Sequence, residues 1–226
     1  LLEIAAELAE EGRIEIHVLD QVLADRVRRF DKGGEAFYDQ ISALHKSVRN
    51  SNPDAALYWI ARMFDGGCDP AYLARRLTRM AVEDVGLADP SALEKTIAAW
   101  EAYDRQGSPE GDLALAMVAV YLAMAPKSNA AYSAYGAAKK LVADTGSLPV
   151  PVALRNAPTK LMKELGYGAH YQYDPDVEGG IAYGQRCFPD ELGEQRLYAP
   201  TGNGIEARIR ERLDHIRAER AKAVKS

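Results

Sequence analysis

His45, Lys46 and Arg49 lie close together in one run, and Arg75, Arg76 and Arg79 repeat the basic theme further on. Cationic side chains in such groups bind phosphate oxygens or the carboxylates of a partner. For His45-Lys46-Arg49 there is a plainer reading. They close a helix that begins near Glu35, and cations at a helix C-terminus complement its dipole. Lys160 and Lys163, on a short helix, are a further candidate pair. Glu83, Asp84 and Asp89 form an acidic group that could hold a cation. The plainer reading is that Glu83 and Asp84 end one helix and Asp89 caps the next. Catalysis by His45, Glu83, Asp84 or His170 would require these groups to converge in a cleft with perturbed pKa values.

Other chemistry is not spelled out. Lys127-Ser128 is the nearest approach to a phosphate loop. The preceding Ala123-Met124-Ala125-Pro126 supplies no glycine to let the backbone curl round a phosphate. No acidic run follows an apolar strand to hold Mg²⁺. Neither a Gly-x-Ser-x-Gly elbow nor a His-Glu-x-x-His pair occurs. Cys68 and Cys187 are far apart and make neither a metal motif nor a disulfide framework, which suits thiols in a reducing compartment. The sequence therefore predicts no catalytic residue, no cofactor site and no metal site among these residues.

The elements that must carry these side chains read as helices. The chain has 226 residues, 47% of them hydrophobic, enough for a large core. Phe37, Ile41, Leu44 and Val48 keep the rhythm of one buried helix face. Asn52-Pro53, Asp69-Pro70, Asp89-Pro90 and Ser108-Pro109 each pair a capping side chain with a proline suited to the first helical position. Each opens an apolar stripe: Leu57, Ile60, Phe64; Leu73, Leu77, Met80; Leu93, Ile97, Trp100; Leu113, Met117, Val120, Met124. Gly66, Gly86 and Gly107 close the first three. Ser128 caps another helix, with Tyr132, Tyr135 and Leu141 in or near its buried stripe, ending around Gly146.

The flanks differ in texture. Residues 1–10 and Val18–Val27 read as helices, with a hinge at Asp31-Lys32-Gly33-Gly34. Leu1-Leu2-Glu3-Ile4 lacks a basic leader and reads as the middle of a helix, as in a cut from something longer. Pro149 to Pro200 is rich in Pro, Gly and Tyr. It reads as an ordered, extended arm with one short helix near Thr159–Leu165 and room for a short hairpin. From Ile205 a terminal helix follows, with Ile205, Ile209, Leu213 and Ile216 on one face. Its arginines alternate with Glu206, Glu211, Asp214 and Glu219 as a solvated, mixed-sign face. The fold class is all-α: a bundle of antiparallel helices, an extended arm and a terminal helix.

Net charge is −5 and the isoelectric point about 5.5, which argues against a surface given over wholly to nucleic acid. A local path remains open, built from Lys46, Arg49, Lys127, Lys160, Lys163 and the C-terminal arginines. No apolar run approaches a membrane span.

Phe37-Tyr38-Asp39-Gln40-Ile41-Ser42-Ala43-Leu44-His45-Lys46-Ser47-Val48-Arg49 carries a resemblance. So do Pro53-Asp54-Ala55-Ala56-Leu57-Tyr58-Trp59, Glu83-Asp84-Val85-Gly86, Ala88-Asp89-Pro90, Ala125-Pro126-Lys127-Ser128-Asn129-Ala130 and Asn156-Ala157-Pro158-Thr159-Lys160-Leu161-Met162-Lys163. Together they resemble the C-terminal half of the replication-associated recombination protein A family. These are the RarA/MgsA AAA+ ATPases, whose eukaryotic relatives interact with the Werner helicase. The likeness runs in order along nearly the whole chain. Asn50, where glycine is expected, and Leu87, where a polar residue is expected, depart from it. Asn tolerates a left-handed turn, so the first departure costs little.

The resemblance implies a domain plan. Residues 1–30 would end an AAA+ helical lid. Residues 31–148 would form a collar-like helical oligomerisation domain. Residues 149–226 would be the arm and terminal helix packed on that domain. It also implies a homotetramer, with ATP and Mg²⁺ bound by a module upstream of Leu1. It implies action at stalled replication forks and double-strand ends, DNA and single-stranded-DNA-binding protein as partners, and a cytoplasmic, nucleoid-associated location. The 12 tyrosines suit a subunit interface. The resemblance assigns no role to single side chains. Candidate DNA or partner contacts are His45, Lys46, Arg49, Arg75, Arg76, Lys127, Lys160 and Lys163.

Overall fold

The computed structural model describes Ile16 and residues 35–223. The helices expected at 1–10 and Val18–Val27, and the hinge at Asp31–Gly34, lie outside the described residues. The described residues are helical, with no strand among them, so the arm forms no hairpin. They fall into two compact units. The first runs up to Val85 and resumes over Pro90–Ala125; the second comprises Gly86–Asp89 and the chain from Pro126 onward.

In the first unit, helix α1 spans Glu35–Arg49, α2 Pro53–Asp65 and α3 Pro70–Met80. A π-turn over Ala81–Val85 extends α3. Helices α4 (Ser91–Gln106) and α5 (Asp112–Met124) follow. Ile41, Leu44 and Val48 of α1 meet Ile60 and Met63 of α2 and Leu73, Leu77 and Met80 of α3 in one core. The proline-started pattern holds for α2 and α3. Asn52 Oδ1 accepts from the Ala55 N–H at 3.0 Å and Asp69 Oδ1 from the Ala71 N–H at 3.0 Å, with Pro53 and Pro70 in the first turn.

The pattern changes at the next two helices. Pro90 takes the cap position before α4, and α5 begins only at Asp112, after a turn that contains Ser108 and Pro109. There the Ser108 hydroxyl donates to the Asp112 carboxylate at 3.0 Å.

The buried stripes also shift. On α4, Leu93 and Ile97 face outward and Ala92, Thr96 and Ala99 face the core. The Thr96 hydroxyl is satisfied by donating to the Leu93 carbonyl at 2.8 Å, so it can be buried without loss. On α5, Leu113, Met117 and Met124 are exposed while Leu115, Val118, Ala119, Leu122 and Ala123 are buried. Helix α5 packs against α1, α2, α3 and α4. It is apolar nearly all round, so its own periodicity does not select an inward face. Leu57 of α2 is likewise exposed.

The second unit holds helices α6 (Ala130–Thr145), α7 (Lys160–Glu164) and α8 (Glu206–Ala223). Short 3₁₀ turns lie at Gly86–Ala88, Val152–Leu154 and Asp174–Asp176. Ser128 Oγ accepts from the Ala130 N–H at 3.2 Å at the start of α6. The arm is ordered by local bonds: Ala182 N–H to Asp174 Oδ1 at 2.8 Å, Arg155 Nε to the Val150 carbonyl at 2.7 Å, and the Arg155 guanidinium over the Tyr167 ring. Tyr132 and Tyr135, expected near a buried stripe, are exposed, as is Ile205.

Candidate functional site

The first unit gathers the central basic and acidic candidates into one network. The π-turn is what aims the acids. It widens the last turn of the α3 run, so that Asp84 points inward and is buried while Glu83 stays half-buried. Asp84 Oδ2 is hydrogen-bonded to His45 Nε2, and its Oδ1 accepts from Arg49 Nε at 2.6 Å. Glu83 Oε2 accepts from Arg79 Nε at 2.7 Å, and Glu83 Oε1 lies 3.6 Å from Arg49 Nη2. On the far side of the imidazole, Arg76 Nη2 is 3.4 Å from His45 Nδ1.

A guanidinium can only donate. Guanidinium groups face both ring nitrogens of His45, Arg76 Nη2 at Nδ1 and Arg49 Nη2 at 3.3 Å from Nε2, while Asp84 is hydrogen-bonded to Nε2. Burial by itself would push the Asp84 carboxyl up, but the hydrogen bonds from His45 and Arg49 outweigh it and hold the carboxyl below its ordinary value. The same contact raises Arg49 further above an already high value.

His45, Glu83 and Asp84 offer ligand atoms within 4.8 Å of one another. Arg49 donates to Asp84 and approaches Glu83 and the imidazole, while Arg76 faces the other ring nitrogen. A cation entering here would have to displace guanidinium groups from the lone pairs it needs. The donor set suits an internal ion-pair network better than a metal centre.

The other expected contact residues are placed differently. Lys46, Arg75, Lys160 and Lys163 are exposed. Arg75 lies 3.7 Å from Asp69 and over the Tyr72 ring; Lys160 lies 3.8 Å from Glu164. Lys127 is half-buried, and its carbonyl accepts from Asn203 Nδ2 at 2.8 Å. The positive charges of Arg49 and Arg76 are thus turned toward Asp84 and His45. This is a more specific role than the helix-dipole complement expected from α1.

A second constellation went unread in the sequence. Glu206, assigned to a solvated mixed-sign face, is 0% exposed. Its carboxylate accepts from the Tyr198 hydroxyl at 2.6 Å, the Thr201 hydroxyl at 2.6 Å and the Thr201 N–H at 3.1 Å. Burial pushes this carboxyl up, but hydrogen bonds from Ser128, Thr201 and Tyr198 bring it below its ordinary value. Burial and Glu206 together push the Tyr198 phenol well up, so it stays a donor.

Around this acid the second unit is tightly closed. The Ile205 N–H donates to the Ala88 carbonyl at 2.9 Å. A Cβ on Gly204 would lie 2.1 Å from that carbonyl oxygen, and one on Gly86 would lie 2.7 Å from the Ser128 carbonyl oxygen. The segments Gly86–Ala88, Lys127-Ser128 and Thr201–Glu206 form one junction. The available signal was the run Thr201-Gly202-Asn203-Gly204 just before an acid at a helix start, which reads as a turn that ends in a cap.

Comparison with known proteins fits this picture. The family described as "MgsA AAA+ ATPase C terminal" matches residues 50–217, and the one described as "AAA C-terminal domain" matches residues 1–49. Replication-associated recombination protein A of Coxiella burnetii is 55% identical over 221 residues, 96% of this chain and 50% of that protein. The Escherichia coli K12 protein of the same name is 50% identical over 217 residues, 94% of this chain and 48% of its own length. ATPase WRNIP1 of Dictyostelium discoideum is 47% identical over 169 residues, 75% of this chain and 19% of that protein. The chain spans about half the length of the bacterial relatives it matches. The resemblance read from residues 37–163 is thereby confirmed: the chain belongs to the MgsA AAA+ ATPase C-terminal family, shared with the replication-associated recombination proteins A.

Proposed function

We propose that this chain is the self-assembling helical scaffold of a clamp-loader-like AAA+ ATPase that maintains replication forks and serves recombination and repair. Four copies would associate as a homotetramer. ATP and Mg²⁺ would bind in a separate module of the longer protein, and DNA and single-stranded-DNA-binding protein would be its partners. The observation that carries the reading is the uncovered apolar surface of the first unit. Leu113 and Met117 on α5 are 73% and 65% exposed, and Leu93 and Ile97 on the adjoining α4 face outward too. Apolar rows of this kind, on helices that are already well packed on their other sides, mark association sites. Met adds a side chain that adapts to a partner. Among the described residues no helix is long and apolar enough to cross a membrane, so a bilayer-spanning role does not explain the row.

The test is the mass of the assembly in solution. Four copies of the 24.7 kDa chain give about 99 kDa. Light scattering at micromolar concentration that returns a monomer would overturn the reading.

A second reading, a nucleic-acid-binding helical module, draws on the exposure of Lys160 and Lys163, of which Lys160 lies 3.8 Å from Glu164. It requires binding that weakens steeply as salt rises. Unchanged anisotropy of labelled DNA at low salt would dispose of it.

A further inference from the structure

Among the described residues, every buried apolar side chain larger than alanine belongs to the first unit. Leu44, Leu73, Leu77, Leu115 and Leu122 are wholly enclosed there, and the continuous core ends at Ala125. The buried residues of the second unit are Ala88, Ser128, Ala130, Ala182 and Glu206. They are small or polar. The second unit therefore has no hydrophobic core of its own.

This is not for want of apolar residues. Leu161 and Leu165 on α7 are 64% and 60% exposed, and Tyr135 and Val142 on α6 are 67% and 65% exposed. Val150 and Tyr173 in the arm are exposed as well, all with the rest of the described chain in place. A segment so rich in large apolar and aromatic side chains does not have the composition of a disordered one. Yet a unit of about a hundred residues has to bury large side chains to offset the entropy of ordering its backbone. The bonds of the arm and the Glu206 network give the unit its shape, but the net gain from such bonds is small against that entropy.

The missing core has to come from outside the chain. A cover on which folding depends is needed whenever the chain is folded, so it must be present in equal number with the chain. A second copy meets that condition at all times. About a twofold axis each copy offers its apolar surface and receives the same surface, so neither is left uncovered. Charge does not oppose the pairing. Residues 86–89 and 126–226 hold 15 Lys and Arg against 13 Asp and Glu, and units so nearly balanced meet with little net repulsion. The exposed charges of α6 and α7 are of both signs, Lys139, Lys140, Lys160 and Lys163 with Asp144 and Glu164. Acids of one copy can face lysines of the other.

We infer that the second unit completes its core against the second unit of another copy and holds its fold only in that pair. The inference rests on the self-assembly reading above and adds a contact separate from the α4/α5 row. A closed tetramer with twofold symmetry needs two distinct self-complementary contacts.

The test follows mass by light scattering and backbone protection by hydrogen exchange, at micromolar protein and on dilution into the nanomolar range. As the mass falls to that of single chains, α6, the arm and the start of α8 should lose protection while α1 to α5 keep theirs. Two variants separate the copies without dilution: Tyr135→Asp with Val142→Asp, and Leu161→Asp with Leu165→Asp. In a self-contained unit such exposed positions tolerate substitution. Here at least one of the two should lower the mass of the assembly and strip protection from the second unit, with the first unit unchanged. Two variants that both keep the wild-type mass, or a second unit that stays protected in single chains, would overturn the inference and leave self-assembly standing. A wild type that is monomeric at micromolar concentration overturns both.

Discussion

Arg49 Nε stands 2.6 Å from Asp84 Oδ1, tying the last turn of α1 to the π-turn that extends α3. The same carboxylate is bonded to His45, so one buried acid organises two basic side chains of α1. Hydrogen bonds to charged groups contribute about 1.5–3 kcal/mol each, and Arg49 is half-exposed, which lowers its share. Asp84→Asn should therefore lower unfolding stability by about 2 kcal/mol, read from urea denaturation at fixed protein concentration.

The pH dependence of that loss has a definite sign. Asp84 is held below its ordinary value in the folded state. Its contribution is full above the unfolded pKa of about 4 and disappears as pH falls through the folded value. The stability gap between wild type and Asp84→Asn should close as pH falls below about 4. A gap that widens below that pH would contradict the assignment.

Glu206 offers a parallel test in the second unit. It is fully buried and its carboxylate accepts hydrogen bonds from Tyr198, Thr201 and Ser128. Glu206→Gln keeps the shape but removes the charge and turns an acceptor into a donor that faces hydroxyls. The expected cost is about 3 kcal/mol, with hydrogen-exchange protection lost first around Thr201 and the start of α8.

Gly204 probes the closeness of the junction. Its φ is +53° and an added Cβ would lie 2.1 Å from the Ala88 carbonyl oxygen. Overpacking costs about 1–3 kcal/mol and a left-handed non-glycine residue about 1 more. Gly204→Ala should destabilise by at least about 2 kcal/mol. Gly136→Ala, at an ordinary helical position with open space, should not destabilise the subunit.

On the surface, Leu113→Asp with Met117→Asp should leave the subunit fold within about 0.5 kcal/mol of wild type, because both side chains are exposed. Their effect should fall on the mass of the assembly. A double variant that keeps the wild-type mass would remove α5 from the interface.

Lys160→Glu with Lys163→Glu tests the nucleic-acid reading. Loss of two phosphate contacts should weaken DNA binding evenly across sequences and lower the slope of log affinity against log salt by about 2. An unchanged slope would mean that neither lysine meets a phosphate.

By itself the sequence determined the all-α class, the starts of α2 and α3, the buried phase of α1 and α3, and the family. These are short-range properties. A capping Asn52 or Asp69 next to a proline, or Leu73-Leu77-Met80 at helical spacing, acts within a turn or two and can be read without knowing the neighbours. Only the tertiary structure decided that Asp84 meets His45 across 39 residues, that Ala92-Thr96-Ala99 rather than Leu93-Ile97 turns inward on α4, and that Glu206 is buried. An α5 that is apolar all round offers several equivalent inward faces, and the helices packed against it choose one. A carboxylate looks solvated in sequence, and becomes an internal ligand only where hydroxyls and guanidinium groups from distant segments converge on it.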